Sequence, residues 1–323
     1  MRSSSASLVD PMPLDKDGYF PSFRGSVNTW ECDDNAHMNV QFYVARASDG
    51  AFFLRHELGL APSAIRASNR TMIALEEHYR FHRELFAGDM ISMRTRLIDM
   101  REKTLVVLHE LVNEGTGELS ASVVAVSASF DTETRRLVPW EADTLAKGRA
   151  LIGPLPDYAE ARSVKRETRL ADLTLAEAEA RGFIEIYRGA VHPQHCDQFG
   201  HMGTQHYIAR YSDGSGHLWQ GLGLEKSRLI AERRGSVVLE QRLNYIREVL
   251  SGDILIVKSA LIEVAPKTIR MCHFMFNGET GLLAATSEVI AVLLDLDTRR
   301  AVNFSDAERA RLETHIRSVA KVA

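Results

Sequence analysis

The first regular pattern along the chain is helical. A helical pattern runs over 39–58, with Tyr43, Ala47, Phe53 and Leu54 among its apolar positions, and breaks near Gly59 and Pro62. Segments with strand character follow at 90–100, 104–113 and 119–130. In the last of these, Val124, Val126, Ala128 and Phe130 alternate with Ser127 and Ser129, as on a strand with two unlike faces. Residues 113–117, with two glycines, read as a hairpin turn. The same order then returns: a helix over 203–222 and strands over 254–264, 268–276 and 282–294.

The return is a duplication. Residues 33–136 overlay 197–300 without a gap at a constant offset of 164, the separation of Asp33 from Asp197. His37 meets His201, Met38 meets Met202, Gln41 meets Gln205 and Tyr43 meets Tyr207. Downstream, Glu76 meets Glu240, and the Gly88-Asp89 pair meets Gly252-Asp253. A period this long is a whole domain, so the expected object is a pseudo-symmetric dimer within one chain. One long helix followed by consecutive antiparallel strands makes each copy an α+β unit. The expected boundaries are a loose arm at 1–21, domains at 22–140 and 186–304, a linker at 141–185 with a short helix capped by Thr174, and a terminal helix at 305–323 capped by Ser305.

Composition narrows the function classes. With 323 residues, 45% hydrophobic and 25% charged, the chain has material for about two globular domains. A formal net charge of -4 supplies no basic field for nucleic acid or an anionic membrane surface. Cys32, Cys196 and Cys272 show neither disulfide nor zinc spacing, and no apolar run reaches the roughly 18 residues a spanning helix needs. A cytoplasmic location is the expectation.

Just before each helix lies a compact polar cluster: Glu31-Cys32-Asp33-Asp34-Asn35-Ala36-His37-Met38-Asn39 and His195-Cys196-Asp197-Gln198-Phe199-Gly200-His201-Met202-Gly203. N–H groups in a helix's first turn, with the positive end of the dipole, suit a developing oxyanion. A carboxylate just upstream can act as general base or as nucleophile, and Asp33 and Asp197 are so placed. The plainer reading of either Asp is a helix N-cap, that of His37 and His201 a structural hydrogen-bonding role, and that of Cys32 and Cys196 a small buried thiol.

The pattern Asp-x-x-(Gly/Ala)-His-Met, with Tyr43 and Tyr207 six residues beyond the His, resembles the hot-dog thioesterases of the 4-hydroxybenzoyl-CoA thioesterase type in both copies. Through Asp33, Asn35, His37, Asn39 and Tyr43 the first copy also resembles acyl-ACP thioesterases. The second departs there, with Phe199 for Asn35 and Gly203 for Asn39. The resemblance implies two fused hot-dog domains, each an antiparallel sheet wrapped around a central helix, with acyl-thioester sites at the shared interface. It implies no cofactor beyond coenzyme A within the substrate. Asp33 and Asp197 then stand as catalytic candidates, with His37, His201, Asn35, Glu76 and Glu240 beside them. Asn39, Gln41, Tyr43, Gly203, Thr204, Gln205 and Tyr207 are the substrate-binding candidates.

Hydrolysis of an acyl-CoA is the leading expectation. A hot-dog enoyl-CoA hydratase and a noncatalytic acyl-binding protein are the alternatives. The hydratase motif carries a Pro and one more residue before its His, which Asn35-Ala36-His37 lacks. Acyl class, CoA against ACP carrier, the number of active halves and assembly into a homo-oligomer stay open.

Overall fold

The computed structural model describes residues 12–164, 170 and 172–320. The first repeat runs β1 (Phe20–Ser26), α1 (Val40–Glu57), α2 (Pro62–Ser68), β2 (Arg70–Phe81), β3 (Met90–Met100), β4 (Thr104–Asn113), β5 (Leu119–Asp131), β6 (Arg136–Leu137) and α3 (Ala142–Ala150). A connecting helix α4 (Leu175–Ala180) leads to β7 (Ile184–Ala190), α5 (Thr204–Asp213), α6 (Ser215–Gly221), α7 (Lys226–Ala231), β8 (Arg234–Tyr245), β9 (Ile254–Val264), β10 (Thr268–Asn277), β11 (Leu283–Asp295), β12 (Arg300–Val302) and α8 (Asp306–Glu313).

All the strands join one 12-stranded antiparallel sheet, ordered β1-β3-β4-β5-β2-β8-β11-β10-β9-β7, with β6 and β12 attached to β5 and β11. The repeats meet at the β2–β8 seam, where His78 pairs with Arg242 and the register runs from Glu76↔Asn244 to Arg80↔Glu240. A bulge skips Leu75 in β2 and its equivalent Leu239 in β8, so the side chains on either side of it are re-aimed alike in both repeats. Helix α1 packs against α5, and one core cluster spans the seam by combining Val44, Ala47, Tyr79 and Val123 with the core of the second repeat.

The central helices lie close on the sheet. Buried residues Tyr43, Val44, Ala47, Gly50 and Leu54 mark the sheet-facing stripe of α1. Gly50 permits the approach, since a Cβ there would sit 2.7 Å from His109 Nδ1. Its equivalent Gly214 meets Ile186 O at 2.8 Å in the same sense, but there the helix breaks. Asp213-Gly214-Ser215-Gly216 is a poorer helix former than Asp49-Gly50-Ala51-Phe52. The single helix expected over 203–222 is therefore two, α5 and α6.

Other expectations also change. β2 and β8 escaped the sequence reading because their middles are charged. The arm ends earlier than residue 21: Tyr19 and Phe20 are buried and Phe20 opens β1, while residues 1–11 lie outside the described residues. The segment expected as linker begins with α3, the repeat equivalent of α8 at the same offset. Each is followed by a parallel bridge to its own sheet, Leu97↔Ile152 and Leu261↔Ile316. The terminal helix thus ends at Glu313, and the linker proper follows Ile152. Within its described part, Tyr158 O accepts from Arg80 of β2 at 2.6 Å. Thr174 and Ser305 cap α4 and α8 with reciprocal Glu177 and Glu308 contacts.

Candidate active site

The motif loops form before the helices begin. Cys32 bridges Met38, the Asp33 N–H donates to His37 O at 3.0 Å, and Ala36 turns the chain with φ +63°. In the second repeat Cys196 bridges Met202, and Gly200 turns with φ +81°. The N-cap of α1 is Asn39, whose Oδ1 accepts the Gln41 N–H at 3.0 Å; Gly203 holds that place before α5. The aspartates are thus not helix caps, and their carboxyl groups belong to the loop. Asp33 Oδ1 accepts the Asn35 N–H at 2.8 Å, and Asp197 Oδ1 accepts those of Phe199 and His201 at 2.8 and 3.0 Å.

The two loops sit in different surroundings. His37 stands between two carboxylates, with Nδ1 3.4 Å from Asp33 Oδ1 and Nε2 3.6 Å from Glu84 Oε1. Arg299, reaching over from the β11–β12 turn, approaches Glu84 at 3.5 Å and donates to Asn35 O at 3.3 Å. Asn35 Nδ2 donates across the seam to Ser236 O at 3.2 Å, an approach open only because Gly235 has no side chain: a Cβ there would meet Asn35 Oδ1 at 2.3 Å. Lys226 on α7 pairs with Asp34 at 2.7 Å. The Asp33 side chain is 21% exposed against 42% for Asp197. Burial raises the Asp33 carboxyl above the usual carboxylate range, opposed by His37 and the Asn35 N–H.

Asp33 opens onto a cavity of about 290 Å³. Its head is first-repeat chain: Asp33, Asn35, His37, Asn39 and Val40, the first residue of α1. The rest belongs to the second repeat. Ile208 and Tyr211 of α5, Ser215, Leu218 and Trp219 of α6, and Leu229 and Ile230 of α7 form one wall. Val237, Val238 and Gln241 of β8, Met271 and His273 of β10, and Val289 and Ala291 of β11 form the other. Ser212, Asp213 and Ser215, around the helix break, face the same space. Trp219 is fixed by an Nε1–H bond to Ser236 Oγ at 3.0 Å.

At the matching point of α1 stands Arg55, which donates to Met72 O at 2.8 Å and lies over the Phe52 ring. Burial lowers its pKa, an effect offset in part by the charge of Asp197. Asp197 thus lies within electrostatic reach of the Arg55 guanidinium, whereas Asp33, which feels Lys226, shares its cavity with the Trp219 indole.

Not every candidate converges on the cavity. Glu240 is buried on the opposite side of β8 from Gln241, accepting from His78 Nε2 and from the backbone N–H of Arg162 and Ser163, each at 2.8 Å. Burial opposes its charge, but these bonds hold its pKa at about 2. Glu240 thus fastens the linker to the seam. Glu76, half-buried on the equivalent side of β2, does not line the cavity either. Tyr43 and Tyr207 are buried edge-on against Phe81 and Tyr245, and Gln41 lies beyond the N-cap outside the cavity. Asn39 donates to Ser212 Oγ at 2.8 Å, and Thr204 and Ser48 share a 3.0 Å hydroxyl contact between α1 and α5. Gln205 meets His206 at 3.3 Å. His201 contacts Arg135 at 3.1 Å and Glu248 at 3.5 Å, as His37 meets Glu84. Burial raises the Cys32 thiol, which disfavours its thiolate. Sequence reasoning missed Glu84, Arg299, Tyr211, Gln241 and His273. The first two repeat at the same offset as Glu248 and Arg135, so the overlay held their signal.

The pattern that defines the thioesterase-like superfamily matches residues 27–148 and again 191–312. The chain belongs to that superfamily. A betainyl-CoA thioesterase of Pseudomonas aeruginosa is 29% identical over 119 residues, 37% of this chain and 75% of the relative. An L-carnitine dehydrogenase/betainyl-CoA thioesterase of Agrobacterium fabrum is 32% identical over 140 residues, 41% of this chain and only 28% of that longer protein. An oleoyl thioesterase from Lactobacillus plantarum shares the fold over 86% of this chain and 97% of its own, with a TM-score of 0.66 and 11% identity. The protein is a thioester hydrolase with two tandem hot-dog domains in one α+β sheet assembly. Among the described residues no helix is long and apolar enough to cross a membrane.

Proposed function

We propose that this thioester hydrolase acts on acyl-CoA and does its chemistry at one of its two pseudo-symmetric sites, the one headed by Asp33. The observation that carries this reading is the cavity shared between the Asp33 loop and the second repeat, set against the charged Arg55 near Asp197. The acyl group lies between α5–α6 and the sheet, with coenzyme A extending outward as part of the substrate. A cavity of about 290 Å³ is near the lower end for small-molecule sites, which favours short acyl groups. The Pseudomonas and Agrobacterium relatives, named for a small acyl group, point the same way.

In this mechanism Asp33 takes a proton from water as the oxygen attacks the thioester carbonyl. A carboxylate with raised proton affinity is the better general base. The N–H of Val40, the first residue of α1 and part of the cavity lining, receives the oxyanion. Collapse breaks the C–S bond, and the proton held by Asp33 passes to the departing thiolate, giving free acid and CoA. His37, between Asp33 and Glu84, orients the carboxyl, and Asn35 pins the loop to Ser236.

The test is thiol release from a panel of short, branched, aromatic and long acyl-CoAs and the matching acyl-ACPs. Turnover of short acyl-CoAs supports the proposal. Turnover confined to ACP substrates or to long chains overturns the carrier or size assignment, and no turnover of any thioester overturns the activity.

A further inference from the structure

Two polar groups on residues that line the cavity have no hydrogen-bond partner among the described residues. Tyr211 is 5% exposed and its ring stacks on His273 at 5.1 Å and 22°, yet its hydroxyl has no hydrogen-bond partner. Gln241 is 2% exposed; its Nε2 donates to Ser287 Oγ at 2.9 Å, which anchors the amide and leaves Oε1 without a partner. Both residues line the cavity that starts at Asp33. Unsatisfied buried polar atoms are costly, so their presence in a substrate-sized space calls for an occupant that pairs with them. The first repeat has neither group at the matching positions. Ala47 replaces Tyr211, and Glu77 replaces Gln241 with its carboxylate already accepting from Tyr79 and Tyr245 hydroxyls at 2.8 Å.

Building on the acyl-CoA reading, we propose that the acyl group recognised here is short and carries a hydroxyl, bound by Tyr211 and Gln241. A hydroxyl is the smallest substituent that both accepts, here from the tyrosine O–H, and donates, here to the amide Oε1. An unsubstituted alkyl chain displaces cavity water and leaves both atoms bare. A quaternary ammonium group fills the volume but has no N–H or O–H for Gln241 and no lone pair for Tyr211. Such a site rejects the analogue lacking the hydroxyl much more strongly than an apolar pocket rejects a missing methylene.

The experiment compares kcat/KM for matched pairs, 3-hydroxybutyryl-CoA with butyryl-CoA and 6-hydroxyhexanoyl-CoA with hexanoyl-CoA, with betainyl-CoA alongside. The expected result is a preference of about 10-fold or more for the hydroxylated member of at least one pair. In Tyr211→Phe and Gln241→Leu, each checked for folding by its melting transition, that preference should fall towards unity because the hydroxylated substrate slows. Equal or better turnover of the unsubstituted members, a preference untouched by both variants, or betainyl-CoA outrunning every hydroxylated substrate overturns the proposal. If no thioester is turned over, the acyl-CoA hydrolase reading fails separately, and equilibrium binding of the same pairs to Asp33→Asn decides the specificity. Tighter binding of a hydroxylated member supports it, and equal binding overturns it.

Discussion

Trp219 and Arg55 stand at equivalent points of the two repeats, and each side chain bonds to the residue equivalent to the other's partner: Trp219 to Ser236 Oγ and Arg55 to Met72 O. This difference, one of several between the two sites, leaves an indole lining one cavity and a cation within electrostatic reach of the other aspartate. Gene duplication supplied two sites, and the side chains on the central helices made them unlike.

Trp219→Arg should copy the second site into the first. The charged head has to be accommodated in the acyl space, and kcat/KM is expected to fall by about 100-fold or more while the chain stays folded. Assays with the best short acyl-CoA and a melting curve check this; near-normal turnover would show that the indole does not shape the site.

Gly235→Ala should act on the motif loop from the other repeat. The added Cβ meets Asn35 Oδ1 at 2.3 Å, much the closer of its two clashing side chains beside the flexible end of Leu296 at 2.9 Å, and must push the loop off Ser236. A loss of roughly 10-fold to 100-fold in kcat is expected, since catalytic geometry tolerates little displacement. Asn35→Ala in the same background should remove the clash and make the second substitution nearly neutral, which a double-mutant cycle reads directly.

The raised pKa of Asp33 has consequences of definite sign. Activity that needs its ionised form should fall as pH drops through a value above the ordinary carboxylate range. For stability, the folded state holds this proton more tightly than the unfolded state. Ionised Asp33 therefore destabilises the fold above its folded pKa, and the effect vanishes below the unfolded value. Asp33→Asn should raise Tm near neutral pH and leave it unchanged in strong acid, which melting curves at the two pH values check.

Glu240 should behave as a tether. Glu240→Ala strands His78 and two linker N–H groups, with an expected cost of about 2–4 kcal/mol in chemical denaturation. Its depressed pKa makes the carboxylate's contribution fully present above the unfolded value and lost as pH falls towards about 2. The folded fraction of the variant should keep kcat within about 3-fold, whereas a catalytic carboxylate would cost about 100-fold or more.

Much of this arrangement was legible in the sequence. The constant 164-residue offset exposed the two domains, and alternation located β3, β4, β9 and most of β5, β10 and β11, because these strands bury regular apolar faces. The central strands β2 and β8 were not legible. Glu77, His78, Glu240 and Arg242 are buried there; Tyr245 pairs with Glu77 and Glu240 with His78 across the seam, and Glu288 of β11 lies 3.8 Å from Arg242, so a local window reads them as surface. The motif aspartates stood out through repetition. The inequality between them did not, since it rests on residues about 20 positions downstream in the opposite repeat, which meet the loops only after the seam forms. Glu76 and Glu240 were singled out by repetition too, but identity at one offset cannot say which face of a bulged strand a side chain takes.

The most direct test of the account is steady-state thiol release by Asp33→Asn and Asp197→Asn, compared with the unaltered protein on one short acyl-CoA that it hydrolyses. The account predicts a loss of about 1,000-fold or more in kcat for Asp33→Asn and a change within about 3-fold for Asp197→Asn. Loss on replacing Asp197 with activity retained on replacing Asp33, or equal halving by each, would contradict it.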